Sequence, residues 1–225
     1  MHIVHLQQGL GPYRRQLLLR LIQVVVLSFM LAGSLWAQSA ERWLVLGDSL
    51  SAAYGIPKEA GWVSLLDQRL SERAETIEVM NASLSGETTS GGLQRLPKLL
   101  EQYRPGVVII ALGANDALRG QDLRASERHL RKMIDLCKKQ KARVVLLGIR
   151  LPSNYGPAYN KVLSGLYASL GQEFDLLFDP FFLEDVALDT KLMQDDGLHP
   201  NLKAQPIIFE RIWRLLQPLL GADQD

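Results

Sequence analysis

Val107-Val108-Ile109-Ile110-Ala111-Leu112 is an unbroken apolar run that stops at Gly113. A run of that length bounded by a turn residue reads as a β-strand buried on both faces. Such a strand needs covering layers above and below it, and the remaining sequence supplies them. Trp43–Gly47, Thr76–Asn81, Arg143–Ile149 and Leu176–Phe178 read as further strands. Between them lie helical patterns. Gly61–Arg73 carries Trp62, Leu65, Leu66 and Leu70 at helical spacing, and Thr88–Tyr103, Ala125–Gln140, Ala158–Gln172 and Leu202–Leu219 follow. Pro97 is expected to start or bend the second of these helices, because proline breaks the interior hydrogen-bond ladder. Strands alternating with helices predict an α/β domain: a parallel sheet with helices on both faces. The pattern does not give the order of the strands.

The first forty residues read differently. Arg14, Arg15 and Arg20 stand there without any acidic residue, a largely apolar run follows from Leu21 to Trp36, and Ala37-Gln38-Ser39-Ala40 closes it. A basic start, an apolar middle and small residues at the end are the pattern of a secretory signal peptide. The apolar run is shorter than the roughly 20 residues of a spanning helix. Residues 1–39 are therefore expected to be a leader cleaved between Ala37 and Ala40, and 40–225 a single domain that is periplasmic or secreted. No stable membrane anchor is expected after cleavage. The whole chain has 25 basic and 24 acidic residues. Loss of the three leader arginines leaves 22 against 24, a net charge of −2. A mildly acidic surface without Lys/Arg clusters argues against nucleic acid as a partner. Cys137 is the one cysteine, so no intramolecular disulfide can form. It lies in a helical stretch and reads as a small core residue.

The chemistry-bearing residues fall at the ends of predicted strands. Gly47-Asp48-Ser49-Leu50-Ser51 follows the first strand, Asn81-Ala82-Ser83-Leu84-Ser85-Gly86 the second, and Gly113-Ala114-Asn115-Asp116 the third. Asp195-Asp196-Gly197-Leu198-His199-Pro200 lies after the fifth. In a parallel sheet the carboxyl ends of the strands share one edge, where ligands bind, so these distant loops can converge. Ser49 there is a candidate nucleophile; read alone, it is equally a helix N-cap. His2 and His5 leave with the leader. His129, in a charged helical stretch, reads as solvated, which makes His199 the candidate base. Asp196, three residues before it, can hold the second ring nitrogen. Asp196 and His199 can also be read as caps of the last helix, and Asp-x-x-His as two metal ligands, although no HExxH motif or Cys/His set accompanies them. The Asn115 amide and the Gly86 and Ser49 backbone N–H groups are candidate donors to an oxyanion, while turn geometry is the simpler use of Gly86 and Asn115 taken singly.

Together these segments resemble the GDSL or SGNH hydrolase family, named for a Ser, Gly, Asn and His in four blocks. Here the blocks are Gly47–Ser51, the Gly86 loop, Gly113–Asp116 and Asp196–Pro200, in the family's order. Arg150-Leu151-Pro152-Ser153-Asn154-Tyr155-Gly156 and Met193–Asn201 extend the likeness toward the family's multifunctional bacterial periplasmic esterases, over essentially the whole chain after Trp43. Ala114 is a small departure, since close relatives often have Gly. The resemblance implies a flavodoxin-like three-layer α/β/α sandwich with a five-stranded parallel sheet. It implies Ser49 as nucleophile with His199 and Asp196 completing a triad. Ser49, Gly86 and Asn115 are implied as the oxyanion hole. It also implies hydrolysis of acyl esters, thioesters or lysophospholipids, with fatty acyl chains.

Leu118, Leu151, Pro152, Tyr155 and Leu198 sit in loops after strands, where they can line an apolar groove or simply pack the loops. No cofactor motif is present: neither GxGxxG after the first strand nor a GK[ST] loop occurs. No metal is expected. Two other functions fit the same residues: a carbohydrate acetylesterase, restricted to short acyl groups, and a lipid-binding protein without turnover.

Overall fold

A computed structural model describes residues 13, 40–73 and 77–220. The chain divides at Ser39–Ala40, and the fold below belongs to the second part. The expected leader and its cleavage point lie outside the described residues. Among the described residues no helix is long and apolar enough to cross a membrane.

Five strands form one sheet: β1 Glu41–Gly47, β2 Ile77–Asn81, β3 Val107–Ala111, β4 Arg143–Leu147 and β5 Leu177–Asp179. Their order is β2-β1-β3-β4-β5, and every neighbouring pair is parallel. The register aligns Asn81, Val45, Ile109, Val145 and Leu177 in one row across the sheet. Trp43–Leu46 and Val107–Ile110 have no solvent exposure. Burying a Val, Leu or Ile side chain is worth about 1.5–3 kcal/mol over leaving it exposed. The two central strands are accordingly the firmest part of the molecule.

Helices cover both faces. On one, α1 (Trp62–Glu72) packs against the last long helix, α6 (Gln205–Leu216). On the other, α4 (Leu123–Lys139) packs between α2 (Thr89–Tyr103) and α5 (Pro157–Phe174). α4 shows why these segments are helices. Leu130, Met133, Ile134 and Cys137 recur on one buried face, the Asp122 carboxylate caps the first turn by accepting from the Arg124 N–H, and Lys138 and Lys139 sit at the negative end of the dipole. Cys137 is buried in that face as expected, and burial pushes its thiol up to about 12, so it is an inert packing residue.

Three features depart from the sequence reading. α2 starts at Thr89 under a Thr88 cap and runs through Pro97 without interruption. The hydrogen bond lost at Pro97 is outweighed by Leu96 and Leu100, which are buried on the same helix. The terminal helix is split: a 3-10 turn at Leu202–Ala204, the α-helix Gln205–Leu216, then a second 3-10 turn at Gln217–Leu219. A five-residue helix, α3 (Ala114–Leu118), follows β3 and was invisible to periodicity because it is barely longer than one turn.

Candidate active site

β1 ends at Gly47, and the chain turns at once. The Ser51 and Ala52 N–H groups both donate to the Asp48 carbonyl, and the Tyr54 N–H to the Ser49 carbonyl. This tight coil leaves Ser49 half-buried at the carboxyl edge of the sheet. Asp48 points inward and is 1 % exposed. Burial pushes its carboxyl up to about 7, with nearby Asp116 adding to the rise, against the lowering effect of the Leu50 N–H, its own N–H and the Asn115 amide.

His199 reaches the same point from the other end of the chain. Its Nε2 lies 2.9 Å from Ser49 Oγ and its Nδ1 lies 2.6 Å from Asp196 Oδ2. The other Asp196 oxygen accepts from the Leu198 and His199 backbone N–H groups at 2.9 and 3.0 Å. Partial burial raises the Asp196 carboxyl, but the His199 N–H, the His199 ring and the Leu198 N–H outweigh it and hold the group down at about 2. An anionic Asp196 accepts from Nδ1–H, which leaves the Nε2 lone pair facing the Ser49 hydroxyl. The Tyr54 ring lies 4.5 Å from the imidazole, centroid to centroid. The helix-cap and metal-ligand readings of Asp196 and His199 have less to recommend them in this geometry, because both side chains are spent on each other and on Ser49.

The other expected oxyanion donors, Gly86 and Asn115, follow β2 and β3, the two strands that flank β1. Gly113 enters α3 with φ +120°, and a Cβ there would fall 2.2 Å from the Tyr167 hydroxyl, which donates to the Leu112 carbonyl. That turn delivers Asn115, whose Nδ2 donates to the Glu87 carbonyl at 3.0 Å and to Asp48 Oδ2 at 3.4 Å. Gly86, with φ +79°, sits in the neighbouring loop. Among the described residues, neither the Ser49 nor the Gly86 backbone N–H has an acceptor.

Several residues that build this arrangement carried no sequence signal. Asp116 is 1 % exposed and accepts from the Thr89 N–H and hydroxyl and from the Ser126 hydroxyl, which fixes α3 against α2 and α4. His129 corrects the sequence reading. It is half-buried, and its Nδ1 lies 3.0 Å from the Thr89 hydroxyl, which donates to Asp116. It closes a packing network between helices rather than facing solvent. Gln194 ties the Ser49 and His199 loops: its Nε2 donates to the Tyr54 and Pro200 carbonyls, and its backbone N–H to the His199 carbonyl.

The five candidate groove residues separate. The Tyr155 hydroxyl donates to the Leu118 carbonyl at 3.5 Å, so these two are neighbours. Tyr155 and Leu198 are both more than a third exposed. Pro152 is exposed. Leu151 is buried in the core, its backbone held at both ends by the Asn160 amide. A cleft of about 390 Å³ lies on the β2 side, lined by Ser51, Lys58, Ser64, Asn81, Ser83 and Leu84 among others, and none of the five belongs to it.

The chain belongs to the GDSL-like Lipase/Acylhydrolase family, whose profile matches residues 45–205. It is 44% identical over 182 residues to esterase TesA of Pseudomonas aeruginosa, covering 81% of this chain and 90% of that protein. It is also 44% identical over 187 residues to thioesterase 1/protease 1/lysophospholipase L1 of Escherichia coli, covering 83% and 88%. The crystal structure of TesA superposes with a TM-score of 0.78 over 80% of this chain and 100% of that one. The esterase EstA of a Pseudoalteromonas species superposes at 0.76 with 40% identity, over 81% and 100%. The fold is therefore the α/β sandwich of the SGNH hydrolases, and the protein is a carboxylic ester hydrolase, a serine acyl hydrolase of that family.

Proposed function

We propose that Ser49 is the nucleophile, His199 the general base and Asp196 its orienting carboxylate, and that the substrates are esters and thioesters of fatty acyl chains. The unbroken line Asp196 Oδ2, His199 Nδ1, His199 Nε2, Ser49 Oγ carries this reading, with links of 2.6 and 2.9 Å. His199 Nε2 takes the Ser49 proton as Oγ attacks the carbonyl, and the imidazolium then protonates the leaving alcohol or thiol. Water enters, gives its proton to the same nitrogen, and releases the acid from the acyl-enzyme. The negative charge on the tetrahedral oxygen is met by the Ser49 and Gly86 N–H groups and by Asn115. One Asn115 N–H is spent on the Glu87 carbonyl. The other makes only the long contact to Asp48 and turns to the oxyanion.

Exposed Leu198 and Tyr155, with half-buried Leu118 next to Tyr155, offer apolar contacts for an acyl chain. Fatty acyl substrates, lysophospholipids included, fit this better than acetylated carbohydrate does. The basic and apolar character of residues 1–39 supports export of the chain and removal of that segment, leaving a periplasmic or secreted domain. The test is hydrolysis of p-nitrophenyl esters from acetyl to palmitoyl by residues 40–225, with Ser49→Ala as control. Ser49-dependent turnover that persists at medium and long chains is expected. Turnover confined to acetyl would favour the carbohydrate esterase, and a folded protein that binds lipid without cleaving any ester would move the reading to a carrier.

A further inference from the structure

Two of the three proposed oxyanion donors, Gly86 and Asn115, lie on separate segments, and one side chain touches both. The geometry points to Arg119 as the residue that positions the oxyanion hole, an inference that rests on the assignment of Asn115 as a donor. Arg119 caps the carboxyl end of α3, one turn after Asn115. Its Nη2 donates to the Gly86 carbonyl at 3.1 Å and to Asn115 Oδ1 at 3.3 Å. Among the described residues it has no carboxylate partner, so its charge is not committed to a surface ion pair.

The consequence for Asn115 follows from the chemistry of an amide. Its two ends have the same shape and differ only in that one donates and the other accepts. Nδ2 faces two acceptors, the Glu87 carbonyl and the Asp48 carboxyl, and Oδ1 faces a guanidinium. A half-turn of the amide would set oxygen against two oxygens and NH₂ against a cation. Without Arg119 only the Nδ2 end is specified, and the amide is held less firmly. The guanidinium also joins the α3 end to the Gly86 loop, whose far side is held by Arg95 donating to Glu87 and to the Ala82 carbonyl. Arg119 is thus a positioning residue: it touches the donors and not the reacting atoms. Preorganised donors are worth most when no reorganisation is needed at the moment charge develops.

The experiment is a double-mutant cycle of Arg119→Ala with Asn115→Ala, read as kcat and KM on a p-nitrophenyl ester. Asn115→Ala alone is expected to lower kcat by about 10²–10³-fold. Arg119→Ala is expected to lower kcat by about tenfold with KM changed less than about twofold, and to cost under about threefold when Asn115 is already Ala. Arg119→Lys keeps the charge, and its ammonium has donors enough for both acceptors on a shorter side chain, so it should recover part of the rate. The thermal midpoint should stay unchanged throughout, because Arg119 is exposed. Equal losses in both backgrounds would overturn the positioning role, and a rise in KM at constant kcat would make Arg119 a substrate contact instead. An Asn115→Ala enzyme with normal kcat would remove the donor assignment itself, so the two failures are distinguishable.

Discussion

The two halves of the candidate site are built by different means. Ser49 stands one residue away from Asp48, which is buried against the end of β1, and β1 is paired on both sides within the core. His199 stands in Met193–Asn201, where a single antiparallel bridge, Met193 to Pro200, is the only regular pairing. That loop is held by a few backbone bonds and by side chains. Asp196 bonds two backbone N–H groups, the Asn201 amide donates to the Lys191 and Met193 carbonyls, and Gln194 reaches back to Tyr54. The proposed nucleophile is placed by hydrophobic burial, the proposed base by a small number of polar contacts at the surface. The two acids report the same contrast: burial lifts Asp48 to about 7, whereas hydrogen bonds hold half-open Asp196 at about 2.

If the base loop depends on polar contacts, breaking one should cost activity more than stability. The largest effect is expected for Asp196→Asn. It removes the anion that fixes the His199 tautomer and should lower kcat by up to roughly 10⁴-fold, with the unfolding midpoint little changed. Near-normal rates would make Asp196 a loop cap. The core-built half should show the reverse balance. In Gly47→Ala the new Cβ would lie 2.7 Å from Ser51 Oγ and 2.9 Å from Ser83 Oγ. Moving both loops should cost about 1–3 kcal/mol of stability, measured by urea unfolding, besides reducing turnover. Gln194→Ala is a smaller perturbation. It frees the His loop from Tyr54 and should lower kcat by about tenfold while costing under about 1 kcal/mol, since the contact is largely exposed. A loss of several kcal/mol would show that the base loop is part of the core unit after all.

Stability should also depend on pH. Because Asp48 has a higher pKa folded than unfolded, the folded state holds its proton more tightly from about pH 4 to pH 7. Its contribution is greatest below pH 4 and declines as pH rises to 7, with a slope of at most about 1.4 kcal/mol per pH unit. Asp196 acts oppositely: its stabilisation is complete above pH 4 and is lost as pH falls toward 2, weakened by its partial exposure. Urea midpoints at pH 4, 5.5 and 7 should therefore fall more steeply in the wild type than in Asp48→Asn. Equal slopes would mean that Asp48 is ionised throughout.

Much of this was legible before any coordinates. The apolar run at Val107–Leu112 and its alternation with helical segments implied the layered parallel sheet, because period and burial are written locally in the residue order. Ser49, Gly86, Asn115, Asp196 and His199 were identifiable because four short blocks at strand ends resemble one family. What the linear order could not convey is which strands touch and which polar groups meet. Strand order puts β1 between β2 and β3, so the Gly86 and Asn115 segments follow the two strands that flank the one leading into Ser49. The polar partners of the site, Asp116 to Thr89, Gln194 to Tyr54 and Arg119 to Gly86, are separated by 27, 140 and 33 residues. Hydrophobic burial is a property each segment carries alone, whereas a hydrogen bond needs two groups within about 3 Å at a defined angle. The sequence by itself determined the layers and the chemical inventory, and only the packed chain decided which donors and acceptors would face one another.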